Sequence, residues 1–170
     1  MAVVLANKRE KEAVEMRAAL CETLMELAGQ RKDIAYLDAA LFGSSGMKKF
    51  AAAYPDRAYD VGIAEANMIG IAAGLSATGM TPFVHSFGPF ATRRCFDQLF
   101  LSVAYGRNTV NVIGSDPGIT ALYNGGTHMP FEDVGIVRNI PTAVIVEPTD
   151  STMLRSVVKD LSEKRGLHYI

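Results

Sequence analysis

One acidic residue, Glu65, opens the run Ala64-Glu-Ala-Asn-Met-Ile-Gly-Ile-Ala-Ala-Gly-Leu75, which is otherwise made of apolar and small side chains. A carboxylate packed among Ala, Ile, Met and Gly has little water to solvate its charge and can hold or share a proton near neutrality. Such a group suits proton chemistry on a bound cofactor. It also suits a plainer task, complementing the positive N-terminal end of its own helix. Its neighbourhood has to decide between the two.

Downstream, Phe83-Val-His-Ser-Phe-Gly-Pro-Phe90 places Phe87 and Phe90 in a strand-to-helix turn. Two phenylalanines three residues apart either fill a core or offer a face to a flat ring. Beside Glu65 the second reading gains weight. A carboxylate next to an aromatic platform is what an aminopyrimidine needs, since its ring nitrogen exchanges a proton with the acid while its face stacks.

The elements that must position these residues alternate along the chain. Glu12 to Gly29 has a helical period, with Gly29 as its stop. Short apolar or β-branched runs then recur at Ile34 to Leu37, Ala58 to Val61, Pro82 to Val84, Thr109 to Ile113 and Ala143 to Val146. Helical stretches sit between them, at Met47 to Tyr54, Glu65 to Thr78, Phe90 to Tyr105, Phe131 to Arg138 and Ser151 to Lys164. This pattern predicts an α/β three-layer sandwich, a mainly parallel sheet of about six strands with helices on both faces. Ligands then belong at the C-terminal ends of the strands. Three loops follow predicted strands there, Asp38 to Gly46, His85 to Pro89 and Ser115 to Pro130. The last, with Asn124-Gly-Gly-Thr-His128, has the length of a binding loop rather than a linker.

Composition narrows the partners. At 170 residues, 49% of them hydrophobic, the chain fits one domain with a real core, 1–170. A net charge of −1 with scattered Lys and Arg gives no sign of a nucleic-acid or anionic-membrane surface. Cys21 and Cys95 are far apart without metal-type spacing, as expected of reduced buried thiols in a cytoplasmic protein. Met1 to Lys11 has an apolar run before its charges, inverted for a signal peptide, and no later segment is apolar enough to span a bilayer. His168-Tyr-Ile170 reads like the opening of another strand, as in a fragment cut before a following domain.

Taken in order, Gly62-Ile-Ala-Glu65, Asn67-Met68 and Ile71-Ala-Ala-Gly-Leu75 resemble the pyrimidine-binding domain of transketolase-type thiamin diphosphate enzymes. Pro82-Phe83-Val-His-Ser-Phe87-Gly-Pro-Phe90-Ala-Thr with Phe96-Asp97-Gln98 resembles the family's aromatic segment, and Gly125-Gly126-Thr127-His128 with Glu132-Asp133 its Thr-His loop. Arg138-Asn-Ile-Pro141 and Glu147-Pro-Thr-Asp150 also fall in family order, so the likeness runs from about Arg17 to Asp150. The resemblance implies roles. Glu65 would hydrogen-bond the pyrimidine nitrogen and promote the imino form, whose exocyclic nitrogen removes the thiazolium proton; the carbanion chemistry is the cofactor's. Phe90 would stack on the aminopyrimidine with Phe87 beside it. His128 would stand near the reacting carbon, binding substrate oxygens or moving protons, although it could also simply brace its loop. Arg17 falls where the family carries a substrate-phosphate arginine, and Ser44 where a hydroxyl assists it, although a helix-surface Arg and a turn Ser have plainer explanations too. Structural roles are expected of both His85 and His168, though His85 is close enough to line the site.

Departures from the family bear on the substrate. Ala40 replaces a usual acid, Asn124 an Asp that contacts the substrate's hydroxyl, and Tyr123 stands where an acid is common. Asp116 lies where a histidine is frequent. Changing an acceptor changes which hydroxyl pattern is satisfied, so an unusual ketose or ketose phosphate is expected, with His128, Asn124, Asp116, Arg17 and Ser44 as substrate contacts. The family's Gly-Asp-Gly metal motif does not occur. The resemblance therefore implies that a diphosphate-binding N-terminal subunit supplies that half of the thiamin diphosphate site with its Mg2+ or Ca2+. It also implies that the family's C-terminal domain is absent, and that the assembly is a homodimer of this domain or a heterotetramer. Apolar surface left by the absent partners should remain on its faces. The activity implied is transfer of a two-carbon ketol unit from a ketose to an aldose. The alternatives are another thiamin diphosphate enzyme, such as 1-deoxyxylulose-5-phosphate synthase or a 2-oxoacid dehydrogenase component, or a noncatalytic assembly module.

Overall fold

The computed structural model describes residues 12–170; the Met1 to Lys11 segment lies outside them. Six parallel strands form one sheet in the order β2-β1-β3-β4-β6-β5. They are β1 (Ile34–Asp38), β2 (Ala58–Asp60), β3 (Thr81–Phe87), β4 (Val110–Ser115), β5 (Val144–Ile145) and β6 (Leu167–Tyr169). The helices are α1 (Met16–Gln30), α2 (Lys48–Ala53), α3 (Glu65–Ala77), α4 (Gly88–Ala91), α5 (Asp133–Val137) and α6 (Ser151–Ser162). All five residues of β1 are buried, as in a sheet covered on both faces.

Alternating strand residues divide the core in two. Tyr36 and Phe83 face α1, α2 and α6, where they pack with Leu24, Phe50, Leu154 and Val158. Leu37, Val84 and Val112 face the other way, onto Met68 and Ile69 of α3 and onto Leu99 and Val103. Because β1 has β2 on one side and β3 on the other, the strand order reverses between β1 and β3. In open parallel sheets that crevice is where ligands lodge.

Besides shifts of one or two residues at other element ends, the structure departs from the sequence expectation in three places. The helix predicted from Glu12 begins at Met16, and the Glu12 carboxylate instead accepts hydrogen bonds from the backbone N–H and hydroxyl of Ser151, 2.7 and 2.8 Å away. The predicted loop from His85 is strand as far as Phe87, since Ser86 and Phe87 are held in register with Gly114 and Ser115 of β4. The single helix expected over Phe90 to Tyr105 is three short pieces, α4, a 3-10 turn at Arg93–Cys95 and a π-helix at Gln98–Tyr105. Thr92 breaks the run, with φ −121° and ψ −77° and its hydroxyl turned back onto the Gly88 carbonyl.

Candidate functional site

Glu65 is the first residue of α3 and is 2% exposed. The Ser86 hydroxyl donates to its Oε1 at 3.1 Å, and Arg94 Nη1 donates to its Oε2 at 2.8 Å. Glu65 is therefore not the solitary acid that its own helix suggested: a guanidinium 29 residues away supplies the countercharge. The same guanidinium lies over an aromatic ring, its Cζ 3.9 Å from the Phe90 centroid. A cation over a ring face is attracted by the ring quadrupole, so Arg94 holds two contacts at once.

Phe87, Phe90 and His128 form a second part of this cluster. The His128 ring lies 5.0 Å from Phe87 and 4.9 Å from Phe90, edge-on to both, and the phenylalanines are 6.1 Å apart at 82°. His128 Nδ1 is 2.9 Å from the Thr127 hydroxyl. Gly88 allows the loop carrying His128 to come so close: a Cβ at that position would meet the Pro130 ring at 2.7 Å. Glu65, Phe87, Phe90 and His128, predicted from separate motifs, are thus brought together at the C-terminal end of β3.

A second group lies where β3, β4 and β6 end. A cavity of about 410 Å3 is lined by Arg17, Ser45, His85, Asp116, Glu147 and Tyr169, among others, and its walls are largely apolar. Arg17 Nη2 is 2.8 Å from both carboxylate oxygens of Asp116, and the Ser115 hydroxyl donates to the same carboxylate. Asp116 has φ +58°, a left-handed conformation that aspartate tolerates better than most residues. His85 and Ser45 are buried; His85 Nδ1 and Ser45 Oγ have no hydrogen-bond partner among the described residues. The nearest acid to His85 is Asp38, at 3.5 Å, which already accepts from the Tyr36 hydroxyl. Tyr169 donates to Asp133 at 2.7 Å; burial first, and that carboxylate next, push its phenol far up from its ordinary range.

The remaining predicted residues are placed otherwise. Ser44 is exposed and its hydroxyl donates to the Leu41 carbonyl, so the neighbouring Ser45 lines the cavity instead. Asn124 lies in the exposed turn after Ala121, and Tyr123 beside it is fully exposed. His168 is buried with Nδ1 2.7 Å from Asn111 Oδ1, and burial lowers its affinity for a proton. Sequence reasoning missed Ser86 and Arg94. The available signals were Ser86 at the end of a strand and Arg94 four residues after Phe90, the spacing of neighbours on a helix.

No group of three or more His, Cys, Asp or Glu side chains among the described residues could hold a metal ion, and none of their helices is long and apolar enough to cross a membrane. The open parallel sheet with its switch point defines the class as a ligand-binding α/β domain. The family model for the transketolase pyrimidine binding domain matches residues 12–169, and the chain belongs to that family. It is 51% identical over 155 residues to the 6-deoxy-6-sulfo-D-fructose transketolase subunit SqwH of Clostridium sp. strain MSTE9, covering 91% of this chain and 48% of that protein. It is 38% identical to a putative transketolase C-terminal section of Methanocaldococcus jannaschii, covering 91% and 49%. A solved structure described as a split gene transketolase, inactive beta4 tetramer, superimposes with a TM-score of 0.81 at 35% identity, covering 91% and 49%. The chain spans about half the length of these relatives.

Proposed function

We propose that this chain is the pyrimidine-binding part of a transketolase-type enzyme that moves a two-carbon ketol unit from a ketose to an aldose with thiamin diphosphate. The observation that carries this reading is the pair of contacts made by Arg94. A flat nitrogen-bearing group reaches the Glu65 carboxylate and the Phe90 ring together, so the two are spaced for an aminopyrimidine as well. When bound, thiamin diphosphate supplies a nucleophilic carbon that accepts and releases the ketol unit. Glu65 holds or returns a proton at the ring nitrogen, and Ser86 keeps its other oxygen fixed. Phe90 stacks, Phe87 and the aromatic edge of the cluster exclude water, and His128 binds or protonates a substrate oxygen.

The substrate suggested is a ketose with an anionic end, a sulfonate or a phosphate. In support, the 51%-identical relative is named for 6-deoxy-6-sulfo-D-fructose, and Arg17 stands in the wall of the neighbouring cavity. Asp116, Asn124 and Ser45 are the polar groups there or nearby that would set the hydroxyl pattern. The diphosphate half of the site and its divalent ion belong to a second subunit, so activity is a property of the complex. Exposed apolar side chains support a covering partner: Ile63 and Ile71 at α3, with Phe100, Leu101 and Tyr105 on the π-helix. Gly70 and Gly74 open space on α3 for close approach.

The test is reconstitution of the chain with its diphosphate-binding subunit, thiamin diphosphate and Mg2+, using 6-deoxy-6-sulfofructose and fructose 6-phosphate as donors. Ketol transfer by wild type and its loss in Glu65→Gln support the reading. A wild-type complex that neither binds cofactor nor consumes either ketose overturns it.

A further inference from the structure

Arg94 occupies both contacts assigned above to the aminopyrimidine. Its Nη1 is 2.8 Å from Glu65 Oε2 and its Cζ is 3.9 Å from the Phe90 centroid. A stacking ring cannot lie on that face of Phe90, nor bond that oxygen of Glu65, while the guanidinium is there. We propose that Arg94 is a built-in stand-in for the aminopyrimidine, a latch that closes the cofactor cluster and must swing out before thiamin diphosphate seats. The inference rests on the function proposed above and adds a competing group to it.

Three features suit Arg94 to this exchange. A guanidinium is planar, stacks on aromatic faces and donates in a fixed fork, so among side chains it comes nearest to a flat nitrogen heterocycle. Its side chain is 44% exposed whereas that of Glu65 is 3% exposed, so the arginine can leave into water while the acid stays where it is. Ser86 donates to the other oxygen, Oε1, so the carboxylate keeps one partner and its orientation while the second is exchanged. The latch also answers an electrostatic need of Glu65. A buried carboxylate with neither cation nor ligand is costly, and Arg94 removes that cost until the cofactor arrives. Its short backbone context helps, because Arg94 lies in the 3-10 turn between α4 and the π-helix and not inside a long regular helix.

A latch of this kind divides the apparent affinity by the fraction of time it is open. If it is closed about nine-tenths of the time, cofactor binds about tenfold more weakly than the open site would allow. The experiment uses the complex with the diphosphate-binding subunit and Mg2+. It measures the thiamin diphosphate Kd by calorimetry and the association rate by stopped-flow fluorescence, for wild type, Arg94→Met, Arg94→Lys, Glu65→Gln and Phe90→Ala. Methionine keeps the apolar stem and removes both the charge and the donor. Arg94→Met is expected to bind about five- to tenfold more tightly, with the gain in the association rate. Arg94→Lys, which keeps a charge but loses the flat stack, should gain about twofold and decides the matter if the Met variant does not fold. Unchanged or weaker binding in the Arg94 variants, with weakened binding in Glu65→Gln and Phe90→Ala, overturns the latch and leaves the functional reading standing. Because Glu65→Gln and Phe90→Ala also release Arg94, both are repeated in the Arg94→Met background, where unchanged affinity overturns that reading, and the latch with it.

Discussion

Two arginine–carboxylate pairs stand at the C-terminal end of the sheet, Arg94 with Glu65 and Arg17 with Asp116, each closed at 2.8 Å. In both the arginine is about half exposed, so the difference lies in the acids. The Glu65 side chain is 3% exposed and Asp116 is 17% exposed on a left-handed turn. On the function proposed above, the acid of the first pair would be the working group, with the arginine covering it. In the second the arginine is the candidate for an anionic substrate and the acid covers it. On that reading the same bond serves opposite ends although the acid is the more buried partner in both pairs, Glu65 the deeper of the two.

The largest expected effect lies on the buried acid. Glu65→Gln keeps the shape but cannot exchange a proton, and kcat/KM for ketol transfer should fall by about 100-fold or more in the reconstituted complex. A variant within tenfold of wild type would mean that Glu65 only caps α3.

Each pair is also backed by a glycine under a ring, and these two positions separate packing from chemistry. Gly114→Ala would drive a Cβ into the Tyr169 ring, and Gly88→Ala would meet Pro130 at 2.7 Å. Overpacking of this kind costs about 1–3 kcal/mol. Tyr169 is the more deeply held obstacle, so thermal unfolding should show the larger drop in Tm for Gly114→Ala. A smaller drop there than for Gly88→Ala would show the Arg17 side to be the more compliant of the two.

Removing the cover from the second pair should help binding. Asp116→Asn leaves Arg17 free for an anionic ketose, and KM for the sulfonated or phosphorylated donor should fall about tenfold, or about 1.4 kcal/mol. If KM rises instead, Asp116 is itself a substrate ligand and the symmetry between the pairs breaks.

The smallest effect uses the two thiols, one beside each pair. Burial raises the Cys95 thiol to about 12, with Glu65 adding to the shift, and burial also raises Cys21, four residues along α1 from Arg17. A raised thiol has less thiolate, so alkylation at pH 8 should be slow at both and slower at Cys95. Cofactor added to the complex should slow Cys95 further and leave Cys21 unchanged. Equal slowing at both would mean that the two regions open together.

Much of this arrangement could be read in advance, for a local reason. Phe87 ends β3, Phe90 follows it in α4, Glu65 opens α3 after β2, and His128 sits in the loop after β4, all places where a parallel sheet delivers residues to a common edge. Each of the five short apolar or β-branched runs contains a strand, and His168-Tyr-Ile170 overlaps the sixth. What escaped depends on approach through space. Ser86 and Arg94 reach Glu65 from 21 and 29 residues away, and Arg17 meets Asp116 across 99. Nothing in the periodicity of α3 announces a cation. Ser44 and Ser45 differ only in which way a tight turn points them, and Thr92 ends a helix by bonding backward, which its residue type permits but does not require.

β6 has a further consequence for how the domain is made. It lies between β4 and β5, and β5 has no other neighbour in the sheet. As the chain leaves the ribosome, β2-β1-β3-β4 can assemble early, while Val144 and Ile145 have nothing to pair with until Leu167–Tyr169 emerges. The wall of the Arg17 cavity that includes Tyr169 and Glu147 therefore closes only after the Glu65 cluster already has its strands.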